Sequence, residues 1–549
     1  MRSLLTVAAA GLTGALVQAP TLAQCSPQSS GADVIVGSVN GITNYGAIGG
    51  VAGYALGTTS CNVGDAELLW FANNTNHPVI GQNIYRLENG RFEQIGMSWL
   101  KHGFTALQQG LCCSCISSGT GSRLGVGCSD PYSSGLNGSQ GGLGPRWQVN
   151  AFTGAFSYPY AQQGQSGDRA FKRIQVLNTD VDPALHPTAQ FFGESQYIAP
   201  DDAAAGNGLN NVSWRRLSRN GSTGAGGAFN LSVSGSTSRE ECAIYAWEDN
   251  TPGVVVSEIN VPGEGQFVAG SNVVDNLDGT WTYNYAIFNN TSDFSADSLS
   301  IPIASGATIF DEGFSFPLYH SGEPYTNLPW TISNNGSSIS WETVNGYNAA
   351  NDTANALRWG TTYSYWFTSN TPPVSGLAVL GLFKSGNPGD QVFDVLVPDG
   401  TGPGGVIVTN YCQANPNSTL IPTSIDAPSV DVANRSMVLE ATDMPANQFG
   451  FFLTSLDTDF VVNAGFSSGN LCLGGQIGRM LAGSGGAIIN SGATGTMTLG
   501  VDLDVIPTPS SIVSVQPGET RYFQAWHRDL SGLGTQTSNF SNGLRVIFP

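Results

Sequence analysis

Apolar and polar positions along this chain alternate mainly at period two, the spacing of a strand with one buried face. Asn89-Gly90 is the turn signal of a two-residue hairpin between 84–88 and 91–95. That turn sets Glu88 against Arg91, Leu87 against Phe92, Arg86 against Glu93 and Ile84 against Ile95. Both charged pairs are of opposite sign and share one face, while Tyr85, Leu87 and Phe92 share the other. A second signal, Asp278-Gly279, leads into Trp281, Tyr283, Tyr285 and Ile287 on one face and Thr280, Thr282 and Asn284 on the other. The stripe predicts a half-buried antiparallel strand, its aromatics in a sheet core rather than on a sugar-stacking platform. Further strands are predicted at 254–261, 299–303, 338–343, 363–368, 378–383 and 392–397. The tail adds 438–441, 449–454, 495–503, 512–515, 520–527 and 544–548. Turn signals recur every 8–12 residues or so, as in β-sandwiches. No long stretch carries a helical period, and a short helix is expected only at 99–108.

Composition agrees with this reading. The 549 residues include 71 glycines, and only 11% are charged, too few for the usual helix surfaces. The formal net charge is −20, a field that repels nucleic acid and anionic membranes. Residues 1–23 have a short cationic head, an apolar run from Leu4 to Val17 and a small-residue end, the form of a cleaved secretory signal peptide. That run is too short to span a bilayer, and no later stretch reaches the ~18 apolar residues of a membrane helix.

Glycine-rich punctuation divides the rest. The expected organisation is a loop-rich β domain with a cysteine cluster at 24–235, a β-sandwich domain at 236–398, a linker at 399–405 (DGTGPGG without its flanks) and a β-sandwich module at 406–549. The fold class is thus all-β, with tandem antiparallel sandwich-like domains behind a disulfide-containing amino-terminal domain. Nine cysteines in an exported chain imply disulfides with one thiol left over. Cys412 and Cys472 pair most simply, because no other cysteine lies in that stretch. Cys61, Cys112, Cys113, Cys115 and Cys128 form a cluster whose connectivity the sequence leaves open.

Several phrases are distinctive. YCQANPNST at 411–419, NQFGFFLTS at 447–455, GNLCLGGQIGR at 469–479, PGETRYFQAWHRD at 517–529 and SNFSNGLRVIF at 538–548 resemble a carboxy-terminal module of secreted planctomycete proteins. DGTWTYNYAIFNNTSDFS at 278–295 and NALRWGTTYSYWF at 355–367 are similar to another β domain of that group. GMSWLKHGFTAL at 96–107 and GCSDPYSSGLNGSQ at 127–140 resemble its amino-terminal segments. The resemblance implies an exported, envelope-associated β protein and carries no catalytic residues with it.

Candidate chemistry is thin. Cysteines with His102 invite comparison with zinc, but the spacing matches no standard site and export favours a disulfide-knotted loop. His102 and Asp130 are a candidate acid/base pair on the surface. Asp180 and Asp182 offer hard oxygens to calcium, although Asp before Pro183 also starts a turn. Glu194, Asp201 and Asp202 offer the paired carboxylates a glycosidase needs, or simply a solvated acidic loop. GxSxG, HExxH, EF-hand and GxxxxGK[ST] motifs are all absent. No cofactor is implied beyond possible calcium. The leading expectation is a non-catalytic structural or interaction protein of the cell envelope or extracellular matrix. The alternatives are a glycan-binding protein and a polysaccharide-directed hydrolase with its site in the amino-terminal domain. Surface or matrix components, glycans among them, are the expected partners, with no nucleic acid and no transmembrane helix.

Overall fold

The computed structural model describes residues 27–398 and 407–548, except 104, 305, 320, 321, 351, 413, 433, 482–485, 517, 518 and 532–534. The expected signal peptide at 1–23 and the expected linker at 399–405 lie outside the described residues. Strands take 49% of the residues and helices 6%, so the fold is all-β, built of antiparallel sheets.

The first sheet has eleven strands, with Val34–Ile48 at one end of its main path and Phe229–Ser238 at the other. It curls until the outer edge of Val34–Ile48 faces the last two strands. Side chains bridge that gap. Ser213 Oγ donates to Val36 O at 2.8 Å, Arg239 Nε to Gly37 O at 2.7 Å, and Arg215 Nη1 to Val39 O at 2.7 Å. Val34, Val36, Leu56, Ile84, Val176, Phe191 and Leu217 fill the curl.

The middle of the chain forms two five-stranded sheets. Tyr283, Tyr285, Ile287, Leu299, Trp341, Tyr365 and Phe367 pack between them. The aromatic stripe after Gly279 is therefore core, with Tyr283 and Tyr285 shut away from solvent. Its strand, Trp281–Asn289, is not half-buried, however. Ala286 and Phe288 on the opposite face are buried as well, against the first sheet. The tail packs a seven-stranded sheet on a three-stranded one, around Leu439, Phe452, Met497 and Phe523.

The 84–97 hairpin holds its expected register through Arg86 opposite Glu93, then departs from it. A bulge sets Ile84 opposite Gly96, not Ile95. The helix expected at 99–108 is absent: Leu100–His102 is a strand paired with Val79–Glu88. Short helices occur instead at Ser134–Asn137, Pro200–Ala205 and Ile244–Asn250.

Candidate functional site

Each polar residue singled out by the sequence has a definite place. His102 is buried, not on the surface. Its Nδ1 lies 2.9 Å from His77 Nε2, and its ring stacks on Tyr160 with centroids 3.7 Å apart. Burial holds its pKa down at about 2, helped by the neighbouring His77 and Lys101. Asp130 is also buried. It accepts from the Leu107 backbone N–H at 2.8 Å, and burial pushes its pKa up to about 7. His102 and Asp130 make their hydrogen bonds to different partners and do not form a dyad. Lys101, next to His102, is buried too, which lowers its pKa to about 8.

Asp180 and Asp182 remain near the surface. Asp180 pairs with Arg86 at 3.2 Å, and Asp182 Oδ1 accepts from Ala184 N at 2.8 Å, the hydrogen bond of a local turn. The acids expected in a solvated loop are structural. Glu194, wholly buried in the strand Gln190–Ile198, accepts from Asn83 Nδ2 (2.8 Å), Tyr85 OH (2.7 Å) and Ala243 N (2.7 Å). Asp201 accepts from Leu69 N at 2.6 Å, and Asp202 from Val34 N at 2.9 Å.

The cysteine cluster is oxidised. Disulfides join Cys61 to Cys112 and Cys115 to Cys128, Cys113 is disulfide-bonded as well, and Cys412 is joined to Cys472. Among the described residues the free thiol is Cys242, buried at the junction described next. Gly37 suits this arrangement because an added Cβ would sit 2.6 Å from Cys112 Sγ. Among the described residues, no three His, Cys, Asp or Glu side chains converge as a metal cluster. Disulfides of this number belong to a chain that matures in an oxidising compartment. No described helix is long and apolar enough to cross a membrane.

The most developed site is the seam between the curled sheet and the sandwich. Its floor is apolar. Tyr85, Phe92 and Trp214 from the first sheet meet Trp247 of the Ile244–Asn250 helix and Val268, Ala286 and Phe288 of the sandwich. Phe92 stacks on Tyr85 at 5.0 Å and on Trp247 at 6.0 Å. Hydrogen bonds cross the seam beside it. Ser364 Oγ donates to Phe92 O at 2.6 Å, Thr362 N to Gln94 Oε1 at 2.6 Å, and Asn83 Nδ2 to Gly360 O at 3.0 Å. Buried Arg146 anchors one end, giving Nε to Ser98 O (2.7 Å), Nη1 to Gly360 O (2.7 Å) and Nη2 to Gln82 O (3.0 Å) and Asn83 Oδ1 (2.9 Å).

Two hollows open along this seam. The outer groove encloses about 280 Å³, and Arg86, Glu93, Gln94, Gln175, Asp180 and Phe316 are among its lining residues. Arg86 reaches Glu93 at 2.7 Å as well as Asp180, so both carboxylates share one guanidinium. The inner hollow, about 30 Å³, suits a guest no larger than water. There Glu323 Oε1 accepts from Arg146 N at 3.0 Å, while its buried Oε2 has no partner. Burial raises the Glu323 pKa to about 7, against the pull of Arg146. Arg358 pairs with Asp352 at 2.6 Å and lies 4.2 Å over the Tyr325 ring. Sequence reading placed Arg86, Glu93 and the Asp180 turn but missed Arg146, Glu323 and Arg358. The available signal was two Arg-Trp dipeptides, Arg146-Trp147 and Arg358-Trp359, in apolar settings of a chain poor in charge.

Neither a protein-family profile nor a curated protein matches the chain. Among the solved structures that resemble it weakly are two from adhesion proteins. One concerns host cell surface retention of a 1.5-MDa bacterial ice-binding adhesin, at 10% identity over 93% of this chain and 95% of that one, with a TM-score of 0.12. The other is a tetra-tandem repeat in the extending region of a large adhesion protein, at 10% identity over 94% of this chain and 99% of that one, with a TM-score of 0.13. Scores this low leave the two folds unaligned and add nothing to the reading of the site.

Proposed function

We propose that this chain is an exported, non-catalytic structural or interaction protein of the cell envelope or extracellular matrix. The observation that carries this reading is the fate of the candidate catalytic groups. His102, Asp130, Glu194 and Asp202 are buried, and each is hydrogen-bonded to another part of the fold. A catalytic acid or base must instead reach a substrate proton. Disulfides and the excess of negative charge suit a protein that stays soluble in an oxidising exterior. The carboxy-terminal phrases, which resemble a recurrent module of secreted planctomycete proteins, suit sorting or attachment. Fractionation of cells expressing the full chain and a version lacking 406–549 tests this. The full chain should be found at the envelope, and the shortened one should be released or retained elsewhere. A shortened chain at the same place and level removes the tail's role.

A glycan-binding reading is favoured by the outer groove. Its about 280 Å³ is near the lower end of small-ligand pockets, roughly 300–1,000 Å³. Planar polar groups (Arg86, Glu93, Gln94, Gln175) stand there beside Phe314 and Phe316, a lining suited to a sugar ring. A glycan array at high micromolar protein should show binders that Phe316→Ala and Glu93→Gln abolish. An array without binders eliminates this reading, and release of shortened sugars replaces it with the hydrolase alternative.

A further inference from the structure

Three short segments meet where the curled sheet begins. Asp33 precedes the strand Val34–Ile48, Asp202 belongs to the helix Pro200–Ala205, and Asn210 and Asn211 lead into the strand Val212–Thr223. Asp33 and Asp202 are both 0% exposed. Among the described residues, neither has an ion-pair partner. Taking a carboxylate out of water costs several kcal/mol unless a counter-charge and hydrogen bonds compensate.

Hydrogen bonds supply part of the compensation. Asp202 Oδ1 accepts from Val34 N at 2.9 Å and its Oδ2 from Asn211 Nδ2 at 2.7 Å. Asp33 Oδ2 accepts from Ser29 Oγ and, at 3.4 Å, from Asn210 Nδ2. A second observation stands apart from the acidity. Asp33 Oδ1, Asn210 Oδ1, Asn211 Oδ1 and Asp201 Oδ1 are all buried oxygens without a hydrogen-bond donor. Orphans occur elsewhere among the described residues, but here four oxygens gather on these short segments. The nitrogens of Asn210 and Asn211 face the carboxylates, and a half-turn of each amide about its Cβ–Cγ bond exchanges nitrogen for oxygen and sets both orphaned oxygens beside the acids. The place is rich in acceptors, poor in donors and short of positive charge. A cation meets all three conditions at once, whereas a water molecule leaves the charge uncompensated.

We propose that Asp33, Asp202, Asn210 and Asn211 bind a calcium ion that fastens the start of the first strand to the Pro200–Ala205 helix. The donors are all hard oxygens, with no imidazole or thiolate, which points away from zinc and copper. Magnesium keeps most of its water and fits a dry site poorly, while calcium accepts carboxylate and amide oxygens among its 6–8 ligands. The remaining ligands are backbone carbonyls or water. Two carboxylates and two amides make up this site, which is separate from the Asp180–Asp182 turn.

Calorimetric titration of the EDTA-stripped, dialysed mature chain with calcium chloride tests the proposal, alongside thermal unfolding in calcium, magnesium or EDTA. One calcium should bind per chain at or below the ~10⁻⁴–10⁻³ M range of extracellular modules. Calcium should raise Tm more than magnesium does. Asn211→Ala and Asp33→Asn should each weaken binding on the order of 10- to 100-fold, and Asp182→Asn should leave it unchanged. Absence of both calcium heat and a Tm shift in the parent chain overturns the proposal, whether or not the variants fold. So does binding that survives Asp33→Asn and is lost in Asp182→Asn.

Discussion

Glu194 and Asp130 show how this chain uses its few charges. Glu194 sits in a strand with both faces buried, one on the curled sheet's own core and one toward the sandwich. Such a strand does not alternate, so QFFGESQYI at 190–198 gave no clue that its acid was interior. Burial raises the Glu194 pKa, and three donors oppose that rise. Glu194→Gln turns one acceptor into a donor facing a donor. It should cost about 1–3 kcal/mol in denaturant titration, and an unchanged midpoint would deny Glu194 its structural role. Asp130 gives a pH signature. Its folded pKa of about 7 lies above the ordinary 3.8, so the native state binds the extra proton. Its contribution is favourable at low pH and is lost as pH rises from about 4 through 7, by up to about 4 kcal/mol. Asp130→Asn mimics the protonated form. Relative to the parent chain it should gain stability at pH 8 and little at pH 4. A stability difference that stays flat with pH contradicts this assignment.

At the scale of elements, strands were legible where one face is wet and obscure where both are dry. The 84–97 hairpin was readable because Asn89 and Gly90 adopt positive φ (52° and 76°) and because Arg86 and Glu93 form a cross-strand pair. The bulge that displaces Ile84 from Ile95 was not, since it arises where the strand meets its neighbours beyond the hairpin. Glu88 stands opposite Arg91 as expected, but the two side chains turn to other partners. Glu88 pairs with His186 at 2.6 Å, while Arg91 lies 3.6 Å over the Trp366 ring of the sandwich. The hairpin tip is therefore a docking element, and a Cβ on Gly90 would come 2.6 Å from Val274. Gly90→Ala should lower stability by about 1–3 kcal/mol, through backbone strain and crowding of Val274 together. If Val274→Ala restores none of the loss, crowding has no part in it. The expected helix at 99–108 failed for a related reason: pairing of Leu100–His102 with Val79–Glu88 overrides a weak local preference.

For the whole molecule, the sequence disclosed an all-β class and most strands of the sandwich and the tail. It did not disclose the seam, whose residues lie up to 277 positions apart, as with Tyr85 and Thr362. A contact of that separation leaves no local pattern. The consequence is mechanical. Residues 24–235 alone would expose Tyr85, Phe92 and Trp214 to water, so that fragment should aggregate or bind hydrophobic dyes. Residues 24–398 should fold cooperatively. Buried polar groups on both sides of the seam weld the curled sheet and the sandwich into one rigid body. Native-state hydrogen exchange of the mature chain, read by mass spectrometry, tests this most directly. Amides around Asn83, Glu194 and 360–364 should exchange only through the same global opening as the core strands. Separate, faster exchange at those positions, with the two sheets still protected, would show a seam that opens on its own and would contradict the account.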